Sequence, residues 1–265
     1  METNSGNQPN QITGNVLFYN NPEPLNFAAH GKLGVKQIDE PYAFLRQAHA
    51  VPVTTAEFGV AATSYPIIFI GDDLTPVAVM GVKQGENLYV TDKGQPEADH
   101  YVPAFVRRYP FVFASDNQQG QLLLCVDTKA PMVTDTPDTP FFDGQNPSKF
   151  TEDAIEFCKE FERQRQGTLM FIELMKKYDL FEPKTVSFQP RNEQGETIGD
   201  PQKIADYMAV SEEKLKELSA EAHEELRNSG ATGAIYAHLV SLLLWPRVIN
   251  RALRRSAANQ AAAQA

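Results

Sequence analysis

The sequence predicts an α+β protein, with a β-rich N-terminal lobe of antiparallel hairpins and a mainly helical C-terminal part. Short apolar runs alternate with polar turns as far as residue 130, whereas apolar residues recur at helical spacing from Thr151 onward. A tyrosine-proline pair followed by three apolar residues occurs at residues 65–69 and again at residues 109–113. Proline lacks an amide donor and restricts the preceding residue to extended geometry, so each copy predicts a short helix ending where a buried strand begins. Two copies fit either a decayed duplication or a coincidence.

The β-rich lobe is predicted over residues 16–130, after a polar and disordered tail at residues 1–15. Short helices are expected before the two tyrosine-proline pairs, at residues 54–63 and 103–108. The short spacing between apolar runs favours hairpins over βαβ units. The predicted strands are residues 67–70, 77–82, 88–91, 111–114 and 122–126.

A proline-rich crossing at residues 131–148 leads into the helical part at residues 149–255, and a tail follows at residues 256–265. The paired Phe141 and Phe142 indicate that the crossing packs against something. The predicted elements of the helical part are a helix N-capped by Thr151 and stopped at Glu182-Pro183, a hairpin of residues 185–188 and 203–210, a charged helical segment from Ser211, and an apolar helix at residues 234–245 that Pro246 ends or kinks.

The chain is acidic, with 34 aspartates and glutamates against 24 lysines and arginines and a net charge of −10. This balance opposes nonspecific attraction to nucleic acid or to an anionic membrane, so no nucleic acid partner is expected. Four arginines follow Pro246, and their favoured interpretation is a solvated helix end rather than a binding patch: Arg247, Arg251, Arg254 and Arg255.

The sequence predicts a cytoplasmic protein without membrane insertion. No apolar segment follows a basic start, and the apolar helix near residues 235–245 is too short to span a bilayer and contains His238. Cys125 and Cys158 lie in apolar runs and are expected to be buried free thiols.

A set of short phrases is spread over the chain from about residue 16 to about residue 250. They are Phe18-Tyr19, Pro24-Leu25-Asn26, Val51-Pro52-Val53, Ala56-Glu57-Phe58, Tyr65-Pro66-Ile67, Gly85-Glu86-Asn87-Leu88, the phrase at residues 101–111, Leu124-Cys125-Val126-Asp127 and Ile235-Tyr236-Ala237-His238-Leu239. In this order they resemble the SapC-like family of bacterial proteins, and the phrase at residues 101–111 is the most specific. The resemblance implies kinship with a protein named for a surface-layer protein locus, in a family often encoded near TonB-dependent receptors and flavin-dependent tryptophan-halogenase-like proteins. It implies no agreed reaction and supplies no catalytic residues.

Arg107 and Arg108 stand out because two guanidinium groups lie between aromatic residues in an apolar phrase. They could clamp an anion or carboxylate, but the favoured interpretation is a structural pair with Glu57 or Asp127. Glu57 could likewise act as an acid or base with a raised pKa, although the acidic half of a structural pair is favoured. The candidate binding residues are Glu57, Tyr101, Arg107, Arg108 and Tyr109, and no catalytic residue is assigned.

Metal and cofactor binding are not expected. The five histidines, His30, His49, His100, His223 and His238, form no close ligand pair, and no GxSxG, GxGxxG or Walker motif occurs. His238 is expected in the core, which leaves His49 and His100 as the better candidates for any metal. Cys125, with Asp127 and a distant histidine, could resemble a nucleophilic catalytic group, but an inert, buried thiol is the favoured interpretation.

The favoured function is a non-enzymatic binding or accessory protein for surface-layer or TonB-dependent uptake systems, with a protein partner and with self-association left open. The alternative is an enzyme that works with a neighbouring flavin-dependent halogenase-like protein on a peptide or sugar-derived substrate, with Glu57, Arg107, Arg108 and a histidine in one cleft. A third interpretation is a structural partner that docks through its C-terminal helix and basic end.

Overall fold

The computed structural model describes residues 17–115, 122–190, 194 and 196–264. The predicted disordered tail at residues 1–15 lies outside the described residues. Antiparallel sheets lie mostly in the first two thirds of the chain, and the helices include Lys149–Lys177 and a long C-terminal helix, which confirms the predicted α+β class.

The chain divides into two compact units. The first unit comprises residues 1–41 and 108–161, and the second unit comprises residues 42–107 and 162–265. Each unit is therefore built from two separate stretches of chain. The domain boundaries predicted from the sequence stay a prediction.

The first unit contains a three-stranded antiparallel sheet in the order Pro22–Pro24, Leu122–Asp127 and Phe111–Ser115. Its remaining elements are the strands Gly34–Val35, Val133–Thr134 and Thr139–Pro140, the hairpin Phe142–Asp143 with Asn146–Pro147, the helix Phe27–His30, and the beginning of the helix Lys149–Lys177. Phe141 is fully buried in the core of this unit with Phe111, Val126 and Cys158. The proline-rich crossing thus packs into the core of the first unit through Phe141.

The second unit contains a five-stranded antiparallel sheet in the order Phe181–Phe188, Gln202–Val210, Ile67–Ile70, Thr75–Val79 and Ala50–Pro52. Its helices are Phe58–Ala61, Ala104–Arg107, the end of Lys149–Lys177, Glu212–Lys216, Ala220–Asn228, Ala231–Ser241 and Trp245–Gln264, with 3₁₀ turns at Ala43–Leu45, Thr55–Glu57 and Leu242–Leu244.

The core of the second unit is built around Phe69, whose ring lies 5.0 Å from the rings of both Phe181 and His238. His238 is fully buried: its Nε2 accepts from the Val210 amide at 3.1 Å, and its Nδ1 donates to the Ile67 carbonyl at 2.9 Å. Burial lowers the pKa of His238 to about 4, so the ring is neutral at pH 7. This is the core histidine expected from the sequence.

The strand predicted at residues 88–91 is not formed, and only Val90 makes an isolated bridge, to Pro96. The Asn87 side chain accepts from the Tyr89 amide and donates to the Ala48 carbonyl, which turns the chain out of extended pairing. The backbone carbonyls of Asn87, Leu88 and Val90 accept hydrogen bonds from arginines instead, and that of Tyr89 accepts from the Glu97 amide.

The long helix begins at Lys149, two residues before the predicted cap, and Thr151 donates its hydroxyl to the Phe141 carbonyl instead. Ala231–Ser241 and the 3₁₀ turn Leu242–Leu244 cover most of the apolar helix predicted at residues 234–245, and the helix Trp245–Gln264 follows directly. Pro246 falls in the first turn of Trp245–Gln264, where no backbone donor is needed, so the proline starts a helix rather than ending one.

Candidate functional site

The candidate residues lie in both units. Glu57, Tyr101 and Arg107 belong to the second unit and meet in one hydrogen-bonded chain, whereas Arg108 and Tyr109 belong to the first unit.

Glu57 is 5% exposed, and four hydrogen bonds reach its carboxylate. One oxygen accepts from the amide and the hydroxyl of Thr54, at 2.9 and 2.8 Å. The other accepts from the Tyr101 hydroxyl at 2.9 Å and from the Ala104 amide at 2.6 Å. The carboxylate therefore joins two segments that are distant in sequence, residues 54–57 and 101–104, and its lone pairs are occupied by structural donors.

Arg107 is exposed and lies above Tyr101, with its guanidinium carbon 5.7 Å from the ring centre. It donates to the Tyr101 hydroxyl and to the Val102 carbonyl, each at 3.0 Å. The Tyr101 hydroxyl thus connects the guanidinium to the Glu57 carboxylate. Burial and the neighbouring Glu57 raise the pKa of Tyr101, so the hydroxyl stays protonated and donates.

In the first unit, Tyr109 is buried and Arg108 is half-buried. The guanidinium carbon of Arg108 lies 4.5 Å from the ring centre of Phe161 and 5.9 Å from that of Tyr19. Tyr109 donates its hydroxyl to Asp127 at 3.3 Å. Asp127 is fully buried and also accepts from the amides of residues 20, 21 and 129, so its carboxylate holds a turn together.

The two thiols are buried, and burial raises the pKa of Cys125 and of Cys158 to about 11. Both therefore remain protonated at pH 7, which disfavours nucleophilic chemistry. Among the described residues, no group of three histidines, cysteines or carboxylates is arranged to hold a metal ion.

The second unit contains a cleft of about 830 Å³ that was not predicted from the sequence, and we call it the arginine cleft. Its lining residues are Leu88, Glu97, Arg247, Asn250, Arg251, Arg254 and Arg255. The clustering of the arginines is visible in the sequence. The loop that faces them is not, because residues 87–97 were expected to include a regular strand.

A second surface lies on the helical run Ala231–Ser241, Leu242–Leu244 and Trp245–Gln264. Tyr236, Val240 and Leu243 are 54%, 57% and 77% exposed, and their spacing of four and three residues places them on one helical face. We call these three residues the apolar stripe. By length and composition alone, Ala231–Ala263 is long and apolar enough to cross a membrane, a test that core helices of soluble proteins also pass.

One known family matches most of the chain. The SapC family model aligns with residues 25–248. The chain belongs to the SapC family. This confirms the family resemblance seen in the sequence. No curated protein and no solved structure gives a significant match.

The SapC match includes Glu57, Tyr101, Arg107 and the whole apolar stripe, and it ends at Val248. Three arginines of the cleft, Arg251, Arg254 and Arg255, lie after its last matched residue. The arginine cleft is therefore built partly from residues outside the SapC match.

Proposed function

We propose that this SapC-family protein is a non-enzymatic binding or accessory protein that docks a protein partner in bacterial surface-layer or TonB-dependent uptake systems. The observation that carries the proposal is the exposure of the apolar stripe. The link to surface layers and uptake comes from the family resemblance.

The stripe has the pattern by which helices dock. Anchors at positions i, i+4 and i+7 fit an apolar groove or a second amphipathic helix. Val60, 46% exposed, adds apolar surface on Phe58–Ala61, which packs against Ala231–Ser241. Each anchor is already partly buried, so covering it would contribute about 1 kcal/mol.

A protein fits this surface better than an anionic membrane does. The chain carries a net charge of −10, and Ala220–Asn228, which packs against Ala231–Ser241, bears three glutamates and one arginine. Such charge repels anionic headgroups. We therefore take the occupant to be an amphipathic helix of a partner protein.

The environments of the buried carboxylates Glu57 and Asp127 and of the two thiols favour a binding function over a catalytic one. A general base needs a free lone pair directed at the substrate, but the lone pairs of Glu57 are directed at Thr54, Tyr101 and Ala104. Asp127 is similarly engaged, and both thiols are protonated.

The proposal is tested by Leu243→Asp, with Leu253→Asp as the matched control. Both leucines are exposed on the same helical run, but Leu253 lies off the stripe. Native complexes are isolated with each variant and with the unchanged protein, and their components are identified by mass spectrometry. We expect Leu243→Asp to lose a partner that Leu253→Asp retains. Retention of every partner by a folded Leu243→Asp protein would refute the proposal.

A further inference from the structure

The arginine cleft holds a concentration of positive charge within an acidic protein. Four guanidinium groups face one carboxylate, that of Glu97, which lies 3.8 Å from Arg251. Among the described residues, no carboxylate forms an ion pair with Arg247, Arg254 or Arg255. Most of the charge in the cleft is therefore not compensated by the protein.

Two of these arginines are held in place by neutral acceptors. Arg255 donates to the Asn87 carbonyl at 2.7 Å and to the Val90 carbonyl at 3.3 Å. Arg251 donates to the Leu88 carbonyl at 3.3 Å. A carbonyl dipole orients a guanidinium group without cancelling its charge, so both remain cationic and fixed.

Arg251 is restrained further by aromatic neighbours. Its guanidinium carbon lies 4.5 Å from the ring centre of Tyr89, and its Nη2 lies 3.2 Å from His100 Nε2. The other ring nitrogen of His100 lies 2.8 Å from the Ala98 carbonyl, which fixes the tautomer with hydrogen on Nδ1 and leaves Nε2 to accept from Arg251. A cation held in this way loses little conformational entropy when an anion binds.

Arg247 and Arg254 differ from this fixed pair. Arg247 makes one long hydrogen bond, of 3.4 Å to the Thr63 carbonyl, and Arg254 makes none with the described part of the chain. They are seven residues apart, and Asn250 lies between them on the same face of the helix. Both guanidinium groups therefore keep donors for a ligand, and the Asn250 amide adds one more.

We propose that the arginine cleft binds a small, multiply charged anion bearing two or more phosphate or carboxylate groups. The planar fork of arginine matches both groups with paired hydrogen bonds. Arg251 and Arg255 supply a fixed positive field, whereas Arg247 and Arg254 close on the anion. This site does not depend on the proposed function, because it uses different residues from the apolar stripe.

Isothermal titration calorimetry of the protein with inorganic pyrophosphate, at low ionic strength, tests the proposal. The test variant is Arg247→Gln with Arg254→Gln, because neither side chain holds the loop at residues 87–90. The control variant, Lys159→Gln with Arg227→Gln, removes two exposed charges elsewhere. Citrate replaces pyrophosphate in a second series, which separates phosphate from carboxylate preference.

We expect saturable binding that weakens about tenfold or more in the test variant, since each lost guanidinium removes a charge-assisted hydrogen bond. The dissociation constant of the control variant should be within about twofold of that of the unchanged protein. Added salt should weaken binding to both of these proteins. The absence of saturable binding for both anions would overturn the proposal, as would an equal loss of affinity in the two variants.

Discussion

The hydroxyl of Tyr101 donates to the carboxylate of Glu57 at 2.9 Å and accepts from the guanidinium of Arg107 at 3.0 Å. A tyrosine thus stands between the two charged residues for which the sequence favoured structural pairing. The linkage connects an exposed cation and a buried carboxylate from two apolar phrases that are distant in sequence. It also places Glu57 among residues that stabilise the second unit.

Replacing Glu57 by Gln should destabilise the protein. The glutamine NH₂ group would replace one acceptor oxygen and face N–H or O–H donors that it cannot accept from. We expect the free energy of unfolding to fall by roughly 2–4 kcal/mol. Urea unfolding followed by circular dichroism measures the change, with exposed Glu156→Gln as the control. Tyr101→Phe should cost about 1 kcal/mol, because it removes the bridging hydroxyl alone. A Glu57→Gln protein with unchanged stability would show that the carboxylate is not structural.

His238 should make stability depend on pH. Its folded pKa of about 4 lies below the value of about 6.5 expected in the unfolded chain, so the unfolded state takes up a proton first on acidification. The contribution is fully present above about pH 6.5, falls as the pH drops toward 4, and amounts to about 3 kcal/mol in total.

The difference in unfolding free energy between the unchanged protein and His238→Gln isolates this contribution, since the carboxylates titrate alike in both. We expect the difference to shrink between pH 7 and pH 4. A difference that stays constant over this range would contradict the neutral, buried ring.

Cys125 and Cys158 should react slowly with iodoacetamide in the folded protein. A pKa of about 11 in place of about 9 lowers the thiolate population by about two orders of magnitude, and burial slows access further. Mass spectrometry of timed samples at pH 8 follows the modification. Equal rates in buffer and in urea would show that the thiols are accessible.

Arg255 and Arg254 are adjacent in sequence but should differ in their effect on stability. Arg255→Gln removes hydrogen bonds to the Asn87 and Val90 carbonyls and should cost about 1–2 kcal/mol, whereas Arg254→Gln should change stability by less than about 0.5 kcal/mol. Parallel urea titrations compare the two variants. Equal effects would mean that the arginines do not support the loop at residues 87–90.

Periodic features of the sequence predicted the fold well. The helical spacing after Thr151 predicted most of Lys149–Lys177, and the second strand of the predicted hairpin matches Gln202–Val210 within one residue. The failed strand at residues 88–91 depends on the Asn87 side chain and on arginines more than 160 residues away. Such long-range hydrogen bonds leave no periodic signal.

The same limit applies to the candidate residues. The apolar setting of Glu57 indicated a structural role, but its partners Tyr101 and Ala104 lie 44 and 47 residues further along the chain. The apolar stripe was hidden because exposed and buried positions alternate on the same apolar helix: Ile235 and His238 are buried, whereas Tyr236 and Val240 are exposed. Periodicity alone does not separate them.

The most direct test of partner docking is photo-cross-linking in living cells. A photoreactive amino acid replaces Leu243 in one protein and Leu253 in another, and the adducts are identified by mass spectrometry. We predict a discrete protein adduct from position 243 that position 253 does not give. Adducts to lipid alone, no adduct, or the same adducts from both positions would contradict the docking of a protein partner on the apolar stripe.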